Sequence, residues 1–173
     1  MTGGREIFYF VLIGIYPLAL VGAAISDFTR LRIPNWLSAT LFAAFPVTAW
    51  LSDLGWALLL RGIACAVVLL GIGAFMVARG WLGGGDAKLL AATAAWIGWP
   101  GVLKFILIMG VIGGVLALTL LLFRRARFSA IAASVPWLRA FHNTVESVPY
   151  GVAIAAAGLA MLWELPVQTV MAN

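Results

Sequence analysis

The chain has six carboxylates in 173 residues, few enough to place one by one. Glu6, Asp53 and Glu164 fall at the expected outer ends of apolar runs, and Glu146 falls in a polar stretch before the last run; all four read as solvated charges. Asp27 and Asp86 differ. Asp27 closes the first apolar run within Ser26-Asp27-Phe28-Thr29-Arg30-Leu31-Arg32-Ile33-Pro34-Asn35, and Asp86 follows three glycines in Gly83-Gly84-Gly85-Asp86-Ala87-Lys88-Leu89-Leu90. Two further apolar runs lie between them, so the chain returns both to the same membrane boundary. Adjacent carboxylates do not comfortably ionise together, so one keeps a proton while the other loses it. That mixed state suits amide hydrolysis. The ionised partner takes a proton from the attacking water and the protonated one donates to the carbonyl oxygen, with no need for a metal, a cofactor or a covalent nucleophile.

The glycines before Asp86 have a separable role. Lacking side chains, they allow unusual backbone angles and the close approach of an extended substrate strand. A loop followed by an aspartate capping the next helix accounts for the same four residues, and the string alone does not separate the two readings.

The elements that must position these residues are helices in a bilayer. The composition is 64% hydrophobic and 10% charged, with a mean hydropathy of +1.10, against about 25% charged residues in an average soluble domain. Apolar runs approaching the ~20 residues needed to cross about 30 Å of hydrocarbon predict an all-α, polytopic membrane protein of about six transmembrane helices. The expected helices cover 6–25, 36–52, 56–79, 87–98, 101–123 and 150–165. Breaks are expected at Ile33-Pro34-Asn35, Asp53-Leu54-Gly55 and Trp99-Pro100-Gly101. The fourth helix is short and rich in small residues, which suits the inside of a bundle. The whole chain, 1–173, reads as a single membrane-embedded domain, with an interfacial segment at about 124–149 on the cytoplasmic side. The run after Arg5 is longer than a signal-peptide core and reads as a first spanning helix.

Positive charge sets the orientation. Arg30, Arg32, Arg79, Lys88, Arg124, Arg125, Arg127 and Arg139 gather on one side, against Arg5, Arg61 and Lys104. The positive-inside rule puts the N-terminus outside and both aspartates at the cytoplasmic face. The net charge of +5 is spread over short loops with no basic stripe, which argues against nucleic acid as a partner. All eight tryptophans lie near expected helix ends, as in an interfacial belt. Cys65, in an apolar run, reads as a small buried hydrophobe; His142 reads as an exposed interfacial residue, and Lys104 has no functional case. Arg30, Arg32 and Lys88 are accounted for by topology, with an electrostatic role near the aspartates as the sharper option.

With these motifs in place, the sequence resembles the type IV prepilin peptidases, membrane aspartyl proteases with a Gly-x-Gly-Asp motif. Gly83-Gly84-Gly85-Asp86 followed by Ala87-Lys88-Leu89-Leu90 matches that motif, Arg32-Ile33-Pro34-Asn35 resembles the family's Arg-x-Ile-Pro-Asn pattern after the first aspartate, and Val148-Pro149-Tyr150-Gly151-Val152-Ala153 opens the last helix. The resemblance implies that Asp27 and Asp86 are the catalytic pair. Gly83, Gly85, Lys88, Pro149, Tyr150 and Gly151 are then candidates for positioning the substrate. It further implies prepilin and pseudopilin substrates cut after a glycine ending a short basic leader, and a place in the prokaryotic cytoplasmic (inner) membrane. The compact chain looks most like the peptidases of tight-adherence (Flp) pilus systems, and without a cysteine-rich extension no methyltransferase activity is expected. Two other classes stay in view. A small ion- or proton-coupled transporter would place its acids near the bilayer midplane. A non-catalytic secretion scaffold would use Gly110-x-x-x-Gly114 against a partner helix.

Overall fold

The computed structural model describes residues 3–51, 55–125 and 148–166. Five helices follow in order: α1 (Gly3–Arg30), α2 (Asn35–Leu51), α3 (Gly55–Ala78), α4 (Gly84–Arg125) and α5 (Tyr150–Ala160), with a short 3₁₀ turn at Leu162–Glu164. Among the described residues there is no strand. All six expected helical runs are present, the fourth and fifth joined end to end within α4. The joint is at Gly98, with φ 66° and ψ 179°, a region of backbone space open to glycine alone. Pro100, two residues on, has no N–H to give and crowds the carbonyl of Trp96, so the helix cannot run straight through. The first limb, 84–97, is the centre of the bundle: Leu89 through Ile97 are all buried. Its alanines let neighbouring backbones come close, as expected from the small-residue run.

Around this limb α1, α2, α3 and α5 are arranged, joined by buried polar contacts. The Tyr16 hydroxyl donates to the Gly158 carbonyl at 3.1 Å, tying α1 to α5. The Trp96 indole N–H donates to the Leu41 carbonyl at 2.8 Å, tying α4 to α2. Trp96 is 1% exposed and packs against the rings of Tyr16 and Phe45, which corrects the expectation that all tryptophans form an outer belt. It stands near the end of a limb, but α4 is the central helix, so the end of this element is still interior. Trp36, Trp50, Trp56, Trp81, Trp99 and Trp163 are exposed near helix ends, as expected.

A second correction concerns the last helix, expected over 150–165. It ends at Ala160, tightens into the 3₁₀ turn and leaves it at Leu165 in an extended conformation before Pro166. Eleven residues of α-helix span about 16 Å, roughly half of a hydrocarbon core of about 30 Å. Two stretches, Trp56–Ala78 and Gly84–Leu122, are long and apolar enough to cross a membrane. Their outward side chains are apolar as well, Val67, Leu103, Leu107 and Val111 each being at least half exposed. So large an apolar exterior is what a hydrocarbon solvent accepts and water does not. Asp53, Trp137, Arg139, His142, Glu146 and most of the expected interfacial segment lie outside the described residues.

Candidate active site

The last turn of α1 carries Asp27 inward while the chain prepares to leave the helix. Leu31 N–H donates to the Asp27 carbonyl at 2.8 Å, and Leu31 itself takes φ 53°, the left-handed conformation that ends many helices. That position usually falls to glycine, so a leucine here stores backbone strain of about 1–2 kcal/mol. The Ser26 hydroxyl donates across the turn to the Arg32 carbonyl at 2.8 Å. The turn aims Ile33 back into the protein, 9% exposed, before Pro34 leads into α2. Asp27 is itself 5% exposed.

Asp86 comes from the opposite direction, in the first turn of α4. Three positions after Gly83, its carboxylate reaches back toward the Gly83 N–H, as an acidic side chain does at the third position of a helix. The glycine string therefore both opens the helix and crowds the carboxylate. A Cβ on Gly83 would lie 2.7 Å from Asp86 Oδ2, and one on Gly85 would lie 3.1 Å from the Ile33 Cβ and 3.3 Å from the Ile33 carbonyl oxygen. A Cβ on Gly84 would meet nothing within 4 Å. In the spacing glycine–any–glycine–aspartate, a side chain at the first position would displace the Asp86 carboxylate, one at the third would press on Ile33, and one at the second would meet nothing.

The two carboxylates meet at the start of α5. The first N–H groups of a helix have no partner within it and carry the positive end of its dipole. Pro149 precedes this end; Tyr150 N–H turns back to the Val148 carbonyl at 2.8 Å, and Val152 N–H is shared between the Pro149 carbonyl and Asp27. Val152 N–H donates to Asp27 Oδ2 at 3.2 Å, and the Gly151 N–H lies near both Asp27 and Asp86. The charge of Asp27 bears on Asp86, and Asp86 Oδ1 is buried with no hydrogen-bond partner among the described residues. Neither carboxylate has a lysine or arginine in ion-pair range among those residues. Gly151 has no room for a side chain: a Cβ there would lie 2.5 Å from Ile33 Cδ1 and 2.8 Å from Asp27 Oδ2.

Of the sequence-predicted positions, Asp27, Asp86, Gly83, Gly85 and Gly151 converge, with Pro149 buried beside them. Lys88 does not join them. It is exposed, and its Nζ donates to Asn35 Oδ1 at 2.9 Å, toward α2. Tyr150 also turns away, its ring lying against α4 near Gly113, 3.6 Å from where a Cβ on that glycine would be. Sequence reasoning missed Ile33 and the Val152 N–H. Ile33 wedges between Gly85 of α4 and Gly151 of α5 and so fixes the distance between the elements bearing both acids. Its signal was there, an apolar side chain set between Arg32 and Pro34 just before a helix start. The Val152 contact is a backbone one and leaves no mark in residue type.

A fold with this pair of acids has relatives by sequence. The chain is similar to the prepilin leader peptidase/N-methyltransferase of Aeromonas salmonicida (strain A449), 31% identical over 83 residues, and to the protein of the same name from Aeromonas hydrophila at the same identity and length. Those stretches cover 47% of this chain but 23% of each relative, so the match spans about a quarter of the relatives' length. No solved structure matches the chain. The sequence model of the type IV leader peptidase family matches residues 14–118, a span that includes Asp27, Ile33, Gly83 and Asp86. That span is more than half of the chain, and the chain belongs to the type IV leader peptidase family.

Proposed function

We propose that this protein is a membrane aspartic endopeptidase that removes the short leader from type IV prepilins and pseudopilins, using Asp27 and Asp86 to activate water. One observation carries the reading: carboxylates from α1 and α4, far apart in sequence, come close enough beside the first turn of α5 for the charge of Asp27 to bear on Asp86. Two acids so placed share a proton more readily than both ionise. The ionised one takes a proton from water as its oxygen adds to the scissile carbonyl. The protonated one donates to the carbonyl oxygen, and the tetrahedral intermediate then collapses as the leaving amine takes a proton from the pair. The glycines let the starts of α4 and α5 lie directly against the carboxylates, where a side chain at Gly83 or Gly151 would collide with them.

About six membrane crossings, with the N-terminus outside and the acids at the cytoplasmic face of an inner membrane, fit the distribution of Lys and Arg. The Pro149-Tyr150-Gly151 element at the start of α5 supports a tight-adherence (Flp) type of substrate. The test is cleavage of a co-expressed prepilin, read as a mobility shift, by the parent, Asp27→Asn, Asp86→Asn and Asp53→Asn. Loss of cleavage in both dyad variants, with normal insertion and an active Asp53→Asn control, is the expected result. Full activity in either dyad variant ends the two-aspartate mechanism and favours a transporter or scaffold.

A further inference from the structure

Beside the dyad, on the face away from α5, lies a second feature that hydrolysis does not use. Helices α2 and α3 both pack on the first limb of α4 but scarcely on each other. They leave between them a groove of about 360 Å³ that reaches α4. Its walls are Phe42, Val67 and Leu70, each between 40% and 60% exposed, so the groove opens sideways onto the apolar exterior. One end is polar. Lys88 and Asn35 close it, joined by their hydrogen bond.

The shape limits the occupant. The groove is open along one side, and its volume is at the lower end of the ~300–1,000 Å³ of small-molecule sites, which suits a flexible hydrocarbon chain. The chemistry limits it further. From Asn35 to Phe42 the lining changes from polar to apolar over seven residues of α2, about 10 Å, which matches a molecule with a polar head and an apolar tail. Lys88 uses one of its three N–H donors on Asn35, and it meets no carboxylate in ion-pair range among the described residues. Its remaining donors and the Asn35 amide N–H₂ suit an anion with several acceptor oxygens. Basic pockets between membrane helices bind anionic head groups in this manner.

We propose that the groove between α2 and α3 holds one anionic phospholipid, its phosphate on Lys88 and Asn35 and one acyl chain along Phe42, Val67 and Leu70. The site needs a membrane setting but not the peptidase chemistry, and its test reads binding alone. The full-length chain is purified in detergent, delipidated and titrated with phosphatidylglycerol, phosphatidylcholine or inorganic phosphate, with adducts counted by native mass spectrometry. The expected result is one retained phosphatidylglycerol, weaker retention of phosphatidylcholine, and retention of phosphatidylglycerol lowered about fivefold by Lys88→Gln. Ala39→Phe, which fills the groove from an exposed position, abolishes retention of both lipids while leaving the thermal unfolding profile in place. Equal retention of both lipids, insensitive to Lys88→Gln and Ala39→Phe, overturns the proposal in favour of non-specific lipid. Displacement of phosphatidylglycerol by millimolar inorganic phosphate also overturns it, because the site would then be one for a free anion.

Discussion

The two ends of α5 treat acidic side chains in opposite ways. At the far end Glu164 pairs with Lys104, each about half exposed. At the near end Asp27 and Asp86 are withdrawn from solvent beside each other, with backbone N–H groups for partners and no cation in ion-pair range among the described residues. The first arrangement is favourable and nearly worthless, since an exposed ion pair contributes about 0–1 kcal/mol. The second is unfavourable by itself, because burial and like charge both oppose ionisation. It persists because packing holds it: Ile33, from the turn after Asp27, fits between Gly85 beside Asp86 and Gly151 at the start of α5, and ties the three elements together. An arrangement that costs stability and is nonetheless over-determined by its surroundings is what a reactive centre requires.

The largest effect breaks the contrast at its source. Asp27→Asn or Asp86→Asn is expected to lower the rate of leader cleavage by about 10²–10⁴-fold, the range of general acid–base contributions. The same variants are expected to unfold no earlier than the parent, because an amide still accepts the backbone N–H bonds and ends the repulsion within the pair. Parallel cleavage and thermal-unfolding assays separate the outcomes. A variant that loses activity and stability together makes the carboxylates structural and removes the contrast with Glu164.

Gly151→Ala sharpens it without touching either acid. The added Cβ would stand 2.5 Å from Ile33 Cδ1 and 2.8 Å from Asp27 Oδ2, so one of them must move. Displacing a reacting group by about 1 Å costs on the order of 10²-fold in rate. The expected signature is a fall in kcat with bilayer insertion intact. Unchanged kcat would mean that the N-terminus of α5 does not set the carboxylate positions.

How much of this was legible in the sequence follows from what residue types encode. The two acids, their glycines and the small-residue limb 87–98 were readable because each is a local chemical choice that apolar surroundings make conspicuous. Trp96 was misplaced because nearness to a helix end says nothing of which helix is central; the answer lies in α4 packing against all the others. The end of α5 was placed too late because Met161-Leu162-Trp163 continues the apolar pattern after the backbone has tightened. Lys88 was grouped with the dyad because it is two residues from Asp86, yet two residues on a helix turn the side chain about 200° away, and it faces Asn35. Ile33 lay in plain view without a role, since its contacts are with two glycines 52 and 118 positions further on, at Gly85 and Gly151.

A comparison within the glycine string has a smaller effect. Gly85→Ala is expected to slow cleavage by about tenfold, less than Gly151→Ala, because its Cβ would stand 3.1 Å from Ile33 and a shift of a few tenths of an ångström relieves it. Gly84→Ala is expected to cleave at the parent rate and to unfold slightly later, since nothing lies within 4 Å of its Cβ and alanine favours the helical start by up to ~1 kcal/mol. Equal losses at both positions would show that backbone freedom, not space, is what the string provides.

The smallest effect lies at the other end of α5. Lys104→Gln and Glu164→Gln each dissolve the exposed pair and are expected to change unfolding free energy by less than about 1 kcal/mol, with the double variant no worse than the two singles combined. Leader cleavage is expected at the parent rate in all three. High salt added to the parent should reproduce the small loss, because half-exposed charges are screened within a Debye length of about 10 Å at 0.1 M ionic strength. If instead either single substitution slows cleavage while stability holds, the far end of α5 is coupled through the helix to Gly151 and Val152. The acid that looked expendable would then help to hold the two that are not.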